Sequence, residues 1–206
     1  MTQQAQLSPS SLDEETARAE VYGLLAALYY AAPSDELADR LRVAVTQAPA
    51  AGAMLEASWG ELVAAARRLP TEAMAREFDA LFGGVGRPEV YLFGSHYLSG
   101  FLNEKPLAAL RTDLASLGLT RDEAMAETED HVAYLCEVMR YLIAGDDVEV
   151  ANLTRQREFF SCHLQPWISA FCDALQAHPK ADFYRSLGAF TQAFISVETQ
   201  GFDMLV

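Results

Sequence analysis

The amino-acid sequence predicts an all-α protein, a single globular bundle of about nine or ten helices. Three observations support this class. Apolar residues recur at spacings of three and four, the period of an amphipathic helix. Apolar and polar residues nowhere alternate with the period of two that a half-buried strand requires. Capping residues and helix breakers divide the apolar stretches. We expect a disordered lead at residues 1–10 and one all-helical domain at residues 11–206.

The first part of this domain is predicted to form four helices. Ser11 and Glu14 form a capping box, the sequence signature of a helix start. Ser34 should cap the second helix, and Pro70 should separate the third from the fourth. The apolar stripes of these four helices include Leu24, Leu25, Leu28, Leu37, Leu41, Leu62, Val63, Phe78, Leu81 and Phe82.

A glycine-rich loop, GGVGRPEVYLFG at residues 83–94, interrupts the helical pattern. Glycine lets the backbone approach a ligand closely. No Gly-Lys-Ser/Thr follows the loop and no strand precedes it, so the context of a phosphate-binding loop is missing. The loop carries the aromatic residues Tyr91 and Phe93. Two interpretations stay open, a loop that binds a partner or peptide and a simple connection.

Helical patterning returns at Ser95 and continues towards the C-terminus. Pro106 suits a first helical turn, and Gly118 suits a helix end. Thr120 and Glu123 form a second capping box, which should lead into an acidic stretch and the helix after it. Later helix ends are predicted at Gly145, Pro166, Pro179 and Gly201.

The stretch ETEDHVAYLCEVMRYLI, residues 127–143, places acidic residues directly before an amphipathic helix. Thr128 or Asp130 is expected to cap that helix, with the carboxylates at the positive end of its dipole. Its apolar positions are Val132, Leu135, Val138, Met139 and Leu142. The stretch is either a well-capped core helix or, at Asp130 and His131, a polar binding site beside an apolar wall.

Composition and charge narrow the class of partner. The 206 residues carry a net charge of −14, which argues against nucleic-acid binding through phosphate contacts and favours basic partners. The N-terminus does not have the order of a signal peptide, and the longest uncharged apolar run, Val21–Pro33, is too short to span a bilayer. We therefore expect a cytoplasmic protein without an integral membrane segment.

The cysteines and histidines give no pattern of a catalytic or metal site. Cys136, Cys162 and Cys172 lie in apolar helical patterns without a Cys-x-x-Cys pair, which predicts reduced, buried thiols. Asp130 and His131 are neighbours in sequence and should point to different helix faces, which disfavours a catalytic dyad. No Glu-x-x-His motif of a di-iron bundle occurs. His163, a possible ligand for a metal or anion, is better explained as a packing residue.

These observations indicate binding rather than catalysis, with no cofactor. The expected ligand is a basic, partly apolar peptide. Its arginines would meet Glu127, Glu129 or Asp130 in bidentate geometry, and its apolar part would lie in a groove between helices.

Three ordered segments carry a resemblance to a known family. They are Glu77–Phe82 with Gly94–Tyr97, the run Glu127–His131, and the pattern Phe-x-x-x-His-Leu-x-Pro-Trp-x-x-x-Phe from Phe159 to Phe171. Together they resemble the TorD/DmsD/NarJ chaperones, which mature molybdenum-containing oxidoreductases.

The resemblance implies a TorD-like helical fold and a non-enzymatic chaperone. Its partner would be the precursor or apo catalytic subunit of a molybdenum oxidoreductase, bound through a twin-arginine leader until the cofactor is loaded. The implied peptide-binding residues are Leu81, Phe82, Phe93, Ser95, Tyr97, Asp130 and His131, to which the charge argument adds Glu127.

The resemblance leaves several alternatives open. The chain could instead bind a leaderless mature subunit or its molybdenum cofactor, with a formate dehydrogenase among the candidate clients. Weak nucleotide binding at Gly83–Gly86 is a third alternative. The oligomeric state is open between a monomer and a helix-exchanged dimer.

Overall fold

The computed structural model describes residues 9–46, 53–83, 87–100, 102, 105–122 and 125–204. These residues form ten α-helices and no β-strand, which confirms the all-α prediction. The helices are α1 (Pro9–Tyr30), α2 (Asp35–Val43), α3 (Ala53–Arg68), α4 (Thr71–Phe82), α5 (Gly94–Ser99), α6 (Lys105–Ser116), α7 (Val132–Ala144), α8 (Leu153–His163), α9 (Gln165–Ala177) and α10 (Phe183–Asp203). None of them is long and apolar enough to cross a membrane.

The helix predicted from the central acidic stretch, α7, is a core element. It packs most extensively against α1, while α10 packs against α9 and α3. The predicted apolar positions of α7 are buried, apart from Val138, which packs at the edge of the core. Aromatic side chains supply much of the buried area, the largest fully buried ones being Trp167, Tyr22, Tyr29, Tyr184 and Phe160.

A buried polar network joins the first and last helices. The guanidinium of Arg18 donates to both carboxylate oxygens of Glu198, at 2.7 and 2.8 Å. The hydroxyl of Tyr22 donates to the same carboxylate at 3.0 Å. Arg18 also donates to the side-chain oxygen of Gln156 at 3.1 Å, so α8 joins the network. A buried carboxylate needs such partners, because an unpaired buried charge is strongly destabilising.

The start of α10 is held by a side chain of α4. The carboxylate of Glu77 accepts hydrogen bonds from the backbone N–H groups of Asp182, Phe183 and Tyr184, at 2.7, 3.1 and 2.8 Å. The first N–H groups of a helix have no partner within the helix, and a carboxylate there also interacts favourably with the helix dipole. The glutamate that opens the Glu77–Phe82 segment therefore fixes α4 against α10.

Several helix ends lie where the sequence places them. The hydroxyl of Ser34 accepts the backbone N–H of Leu37 at 3.2 Å and caps α2. Gly145 is the C-terminal cap of α7. Gly118, just after α6, has a φ of 71°, a left-handed conformation that glycine adopts without a steric cost.

The N-terminal helix begins earlier than predicted. α1 starts at Pro9, so Ser11 lies inside the helix and the Ser11–Glu14 capping box is wrong. Proline suits a helix start because its ring fixes a helical φ and its missing N–H would have no helical partner there. Residues 1–8, most of the expected lead, lie outside the described residues.

The second predicted capping box is also wrong. In the part of the chain that the structure describes, residues 119–122 and 125–128 are irregular, and the next helix begins only at Val132. Glu123 itself lies outside the described residues. The Thr120 signal is local, whereas Glu129 and Asp130 further along the stretch bind Arg111 of α6 and Ser95 of α5.

Candidate functional site

The loop before α5 is joined to the start of α7 by backbone hydrogen bonds. Phe93 and His131 form an isolated antiparallel β-bridge. The N–H of Gly94 donates to the carbonyl of Asp130 at 3.0 Å, and the N–H of Val132 donates to the carbonyl of Leu92 at 2.8 Å. Two segments that lie far apart in sequence, and that were predicted as one site, are therefore neighbours. We call this junction of residues 91–97 with residues 127–134 the bridge region.

Asp130 braces the bridge region instead of capping α7. Its carboxylate accepts the backbone N–H of Ser95 at 2.9 Å and the hydroxyl of Thr128 at 2.6 Å. The side chain lies in the interior, since the residue is only 4% exposed. The predicted cap at Thr128 or Asp130 is wrong, because α7 begins after His131, and the Nδ1 atom of His131 accepts the N–H of Ala133 at 3.2 Å.

His131 is a buried, neutral imidazole. It is 3% exposed and lies among the rings of Phe93, Tyr134 and Tyr30, with centroid distances of 5.1, 5.5 and 6.4 Å. Burial lowers the pKa of His131 to about 4, and the negative charge of Asp130 offsets only part of that effect. In the folded chain His131 is therefore uncharged at neutral pH.

Glu129 is already paired with an arginine of the chain itself. Arg111 of α6 donates to its two carboxylate oxygens at 3.0 and 2.9 Å. Burial alone would raise the pKa of Glu129, but the hydrogen bonds and charge of Arg111 outweigh it and lower the pKa. Of the three carboxylates expected to meet arginines of a ligand, Glu127 is the exposed one. In this conformation Glu129 and Asp130 have structural partners.

Tyr97 and Gly94 hold α5 against α9. The ring of Tyr97 stacks on Trp167 at 5.6 Å, and its hydroxyl donates to the carbonyl of Tyr91 at 2.9 Å. A Cβ atom added at Gly94 would lie 2.9 Å from the indole nitrogen of Trp167. That nitrogen donates to the carbonyl of His163 at 2.6 Å. Trp167 of the His-Leu-x-Pro-Trp pattern therefore packs directly against α5.

Leu81 and Phe82 are the last two residues of α4. Leu81 is fully buried in the core, and its carbonyl accepts the N–H of Val90. The ring of Phe82 is partly buried against Phe78 and Tyr184, each at 5.1 Å. These two predicted site residues fix the end of α4 and the returning loop in place.

Two aromatic residues were missed by the sequence analysis, Tyr134 in the bridge region and Tyr30 beside it. Tyr30 is the last residue of α1 and is 52% exposed. Its ring lies 5.8 Å from that of Tyr134. The available signals were weak: Tyr30 lies off the apolar stripe of α1, and Tyr134 lies one turn after His131 on the polar side of α7.

A groove lies between α6 and α8. This groove of about 240 Å³ is lined by Asp113, Ser116, Leu117, Arg155, Glu158, Phe159, Cys162 and His163. The Nε2 atom of His163 lies 2.7 Å from the carboxylate of Asp113, and its ring packs 5.0 Å from Phe159, which supports the packing interpretation.

The cysteines and the glycine-rich loop are the remaining features that the sequence singled out. Cys136 and Cys172 are buried as predicted, whereas Cys162 is exposed because it lies on the solvent side of α8. Among the described residues, no group of three His, Cys, Asp or Glu side chains is placed to hold a metal ion. Gly83 ends α4, and residues 84–86, where nucleotide binding was an alternative, lie outside the described residues.

Sequence comparison relates the chain to proteins of one family. Residues 48–173 match the family model described as nitrate reductase delta subunit. A chaperone protein TorD of Vibrio cholerae serotype O1 is 27% identical over 205 residues, which cover 92% of this chain and 93% of the relative. A chaperone protein TorD of Vibrio parahaemolyticus serotype O3:K6 is 24% identical over 134 residues, covering 61% and 62%.

Structural comparison supports the same fold. A crystal structure described as a redox enzyme maturation protein from Archaeoglobus fulgidus superposes with a TM-score of 0.53. The match covers 96% of this chain and 98% of the other, at 16% sequence identity. At so low an identity the likeness concerns the fold, and it extends over nearly the whole of both chains.

Proposed function

The chain belongs to the nitrate reductase delta subunit family, and from this membership we propose that it is a dedicated chaperone for a molybdenum-containing oxidoreductase. It acts in the cytoplasm and without catalysing a reaction. It binds the precursor or apo catalytic subunit through a twin-arginine leader while the cofactor is inserted. Two relatives are named chaperone protein TorD, and that name supports the chaperone role.

The choice of ligand rests on one observation. An exposed carboxylate of the chain lies in the same region as exposed aromatic rings. Glu127 is exposed at the bridge region, where the ring of Tyr30 is half-exposed and those of Phe93 and Tyr134 are partly exposed. An arginine guanidinium can pair with a carboxylate and stack on a tyrosine ring at the same time. A leader with two adjacent arginines suits this combination.

The apolar part of such a leader also finds a surface nearby. Leu98, within α5, and Leu102, just after it, are both 42% exposed. They follow the Phe93 bridge directly in the chain. Exposed apolar side chains that lie close together are typical of surfaces that bind a partner. The leader would therefore place its arginines near Glu127 and its apolar run along α5.

The charge of the whole chain favours this partner. With a net charge of −14, the chain attracts a basic leader and repels anionic competitors. Long-range attraction of this kind accelerates association and contributes to selectivity more than to affinity. We therefore expect association with the leader to slow as the salt concentration rises.

The predicted site residues divide into two roles under this proposal. Glu127 and Phe93 contact the leader. Asp130, His131 and Ser95 keep the bridge region in the conformation that presents them. Leu81, Phe82 and Tyr97 support α4 and α5 from beneath, and their substitution should affect binding only through the fold.

Calorimetric titration tests the proposal. The ligand is the N-terminal peptide of the oxidoreductase encoded beside this chain, with a second peptide whose two arginines are replaced by lysines. We expect micromolar or tighter binding of the first peptide and weaker binding of the second, because lysine cannot form the bidentate pair. Glu127→Gln should weaken binding by about tenfold, a typical loss for one charged pair.

A matched control is Glu61→Gln, which removes an exposed carboxylate of α3. It changes the net charge by the same amount and should leave the affinity nearly unchanged. Equal effects of the two substitutions would contradict a local contact at Glu127. The absence of any binding to the leader would contradict the proposal itself.

A second candidate function is the assembly of a catalytic subunit that has no leader. Under this alternative, the chain captures the leaderless catalytic subunit, and the leader peptide alone does not bind. Pull-down with the catalytic subunit, made with and without its N-terminal segment, separates the two functions.

A further inference from the structure

The connection between α7 and α8, residues 145–152, exposes apolar side chains to solvent. Val148 within it is 76% exposed, and Tyr141 before it and Leu153 after it are 40% and 42% exposed. The ring of Tyr141 lies against the connection, because a Cβ atom added at Gly145 would be 3.4 Å from it. Several large apolar side chains exposed in one place are typical of a surface that binds a partner.

Hydrogen bonds fix the connection as an ordered turn. The carbonyl of Asp147 accepts two backbone N–H groups of the turn, at 3.0 and 2.6 Å, and its carboxylate accepts the N–H of Glu149 at 3.0 Å. The side-chain amide of Asn152 donates to the carbonyl of Val148 at 3.2 Å, while its oxygen accepts the N–H of Arg155 and caps α8. The turn thus holds Val148 in an exposed position before any partner arrives, which reduces the entropy lost on binding.

Negative charge accompanies these apolar side chains. Asp146, Asp147 and Glu149 are exposed, and among the described residues no arginine or lysine forms an ion pair with any of them. Arg140 and Arg155, which flank the turn in sequence, pair with glutamates of their own helices at 2.8 and 3.4 Å. A complementary partner would therefore carry basic residues beside apolar ones. We call these three acidic residues, together with Tyr141, Val148 and Leu153, the turn surface.

The turn surface lies at the other end of α7 from the bridge region. His131 immediately precedes α7, and Gly145 is its C-terminal cap. The 13 residues of the helix, at 1.5 Å each, separate the two ends by about 20 Å. Since α7 packs along α1 as a core element, this separation is fixed. A client bound through its leader at the bridge region therefore reaches the turn surface only with another segment of its chain.

The client is the partner that matches the turn surface best. The bridge region and the turn surface both combine exposed carboxylates with exposed aromatic or apolar side chains. A client already held at the first surface presents its remaining chain to the second at a high effective concentration, which increases the total affinity. A second copy of this chain is a poorer match, because two copies that each carry a net charge of −14 repel one another.

We propose that the turn surface binds a basic, amphipathic segment of the client's catalytic subunit outside its leader. This inference rests on the proposed function and gives the chaperone a second contact with the same client. The apolar side of the segment packs on Val148 and Leu153. Its lysines or arginines pair with Asp146 and Glu149, while Asp147 keeps the turn in shape.

The test uses two probes that distinguish the surfaces. One is the N-terminal leader peptide of the co-encoded oxidoreductase, and the other is its catalytic subunit made without the leader. The double variant Val148→Ser/Glu149→Gln changes two exposed side chains and retains the backbone bonds of the turn. We expect it to weaken binding of the leaderless subunit by about tenfold and to leave the affinity for the leader peptide unchanged.

The matched control is the double variant Val43→Ser/Glu61→Gln. Val43 is 80% exposed at the end of α2, and Glu61 is exposed on α3, so the control makes the same chemical changes elsewhere on the surface. It should leave binding of both probes unchanged. Equal losses in the two double variants would overturn the inference, because the effect would then not be local to the turn.

The remaining outcomes distinguish this inference from the proposed function. Unchanged binding of the leaderless subunit by the turn variant, or no binding of that subunit by the unmodified chain, overturns the inference. Weaker binding of the leader peptide by the turn variant also overturns it, because the turn would then belong to the leader site. Sedimentation of the unmodified chain as a dimer that the turn variant dissociates would assign the surface to a second copy instead. No binding of the leader peptide by the unmodified chain overturns the proposed function, whereas a tenfold loss for the leaderless subunit would still support the turn surface.

Discussion

The carboxylate of Asp130 accepts the backbone N–H of Ser95 at 2.9 Å, across 35 positions of the sequence. With the Phe93–His131 bridge, this bond makes the loop and the start of α7 one structural unit. Asp130, which the sequence suggested as a helix cap, thus links two segments that are distant in the chain. Its substitution should disturb the conformation of α5 more than the helicity of α7.

Asp130→Ala should destabilise the chain by about 2 kcal/mol, because a buried N–H and a hydroxyl lose a charged acceptor. Urea unfolding measures this loss. Thr128→Val removes only the hydroxyl bond, and it should cost clearly less. An equal loss in both variants would place the stabilising contact at Thr128 instead of Ser95.

His131→Asn should reduce the pH dependence of the unfolding free energy. The folded chain holds the pKa of His131 at about 4, whereas the unfolded chain has its ordinary value near 6.5. The unfolded chain therefore binds a proton first as the pH falls, and stability decreases with acidification through this window. The contribution amounts to about 2 kcal/mol between about pH 7 and pH 5.

Asparagine is a suitable replacement because its side-chain oxygen can still accept the N–H of Ala133 and cap α7. Unfolding free energies of both proteins at the two pH values give the difference directly. Identical pH dependence in the variant and the unmodified chain would show that His131 is not held neutral by burial.

Arg111→Gln should destabilise the chain by about 1–2 kcal/mol, because the buried carboxylate of Glu129 loses its partner while Arg111 itself is half-exposed. Glu129→Gln should cost less, since no buried charge is left unpaired. The unfolding free energies of the two single variants and the double variant measure the coupling.

The same variant tests which carboxylate meets the client. Removing Arg111 leaves the carboxylate of Glu129 available to another arginine. Because the proposed contact is Glu127, we expect the leader affinity of Arg111→Gln to stay unchanged. A marked gain in affinity would instead assign arginine recognition to Glu129.

Gly94→Ala should destabilise the chain by about 1–3 kcal/mol, because the new methyl group would lie 2.9 Å from the Trp167 indole nitrogen. A shift in tryptophan fluorescence should accompany the loss as the indole moves. Gly60→Ala is the opposite case, since a Cβ there meets no described atom within 4 Å. It should stabilise α3 by about 0.5–1 kcal/mol.

Most of the fold was predictable because its signals are local. Apolar spacing located the core face of α7, Ser34 capped its helix, and Pro70 separated α3 from α4. The capping boxes at Ser11 and Thr120 were wrong for local and long-range reasons respectively. A proline two residues earlier starts the first helix, and tertiary bonds occupy the acidic stretch that follows Thr120.

The composition of the candidate site was predictable only in part. Motif order placed the loop and the Asp130–His131 pair in one site, and the structure brings those segments together. Which carboxylate stays available was not predictable, because it depends on Arg111 of α6, 18 positions away from Glu129. Tyr30 was missed for the same reason, since its neighbours come from a distant part of the chain.

The bond between Arg18 and Glu198 spans 180 positions and closes the core between the first and last helices. During synthesis α1 is made long before α10, and its arginine has no carboxylate partner in this network until Glu198 has been added. A product truncated before Glu198 retains Arg18 and Tyr22 without the carboxylate that pairs with both. Quality-control proteases would therefore encounter such fragments as incompletely folded chains.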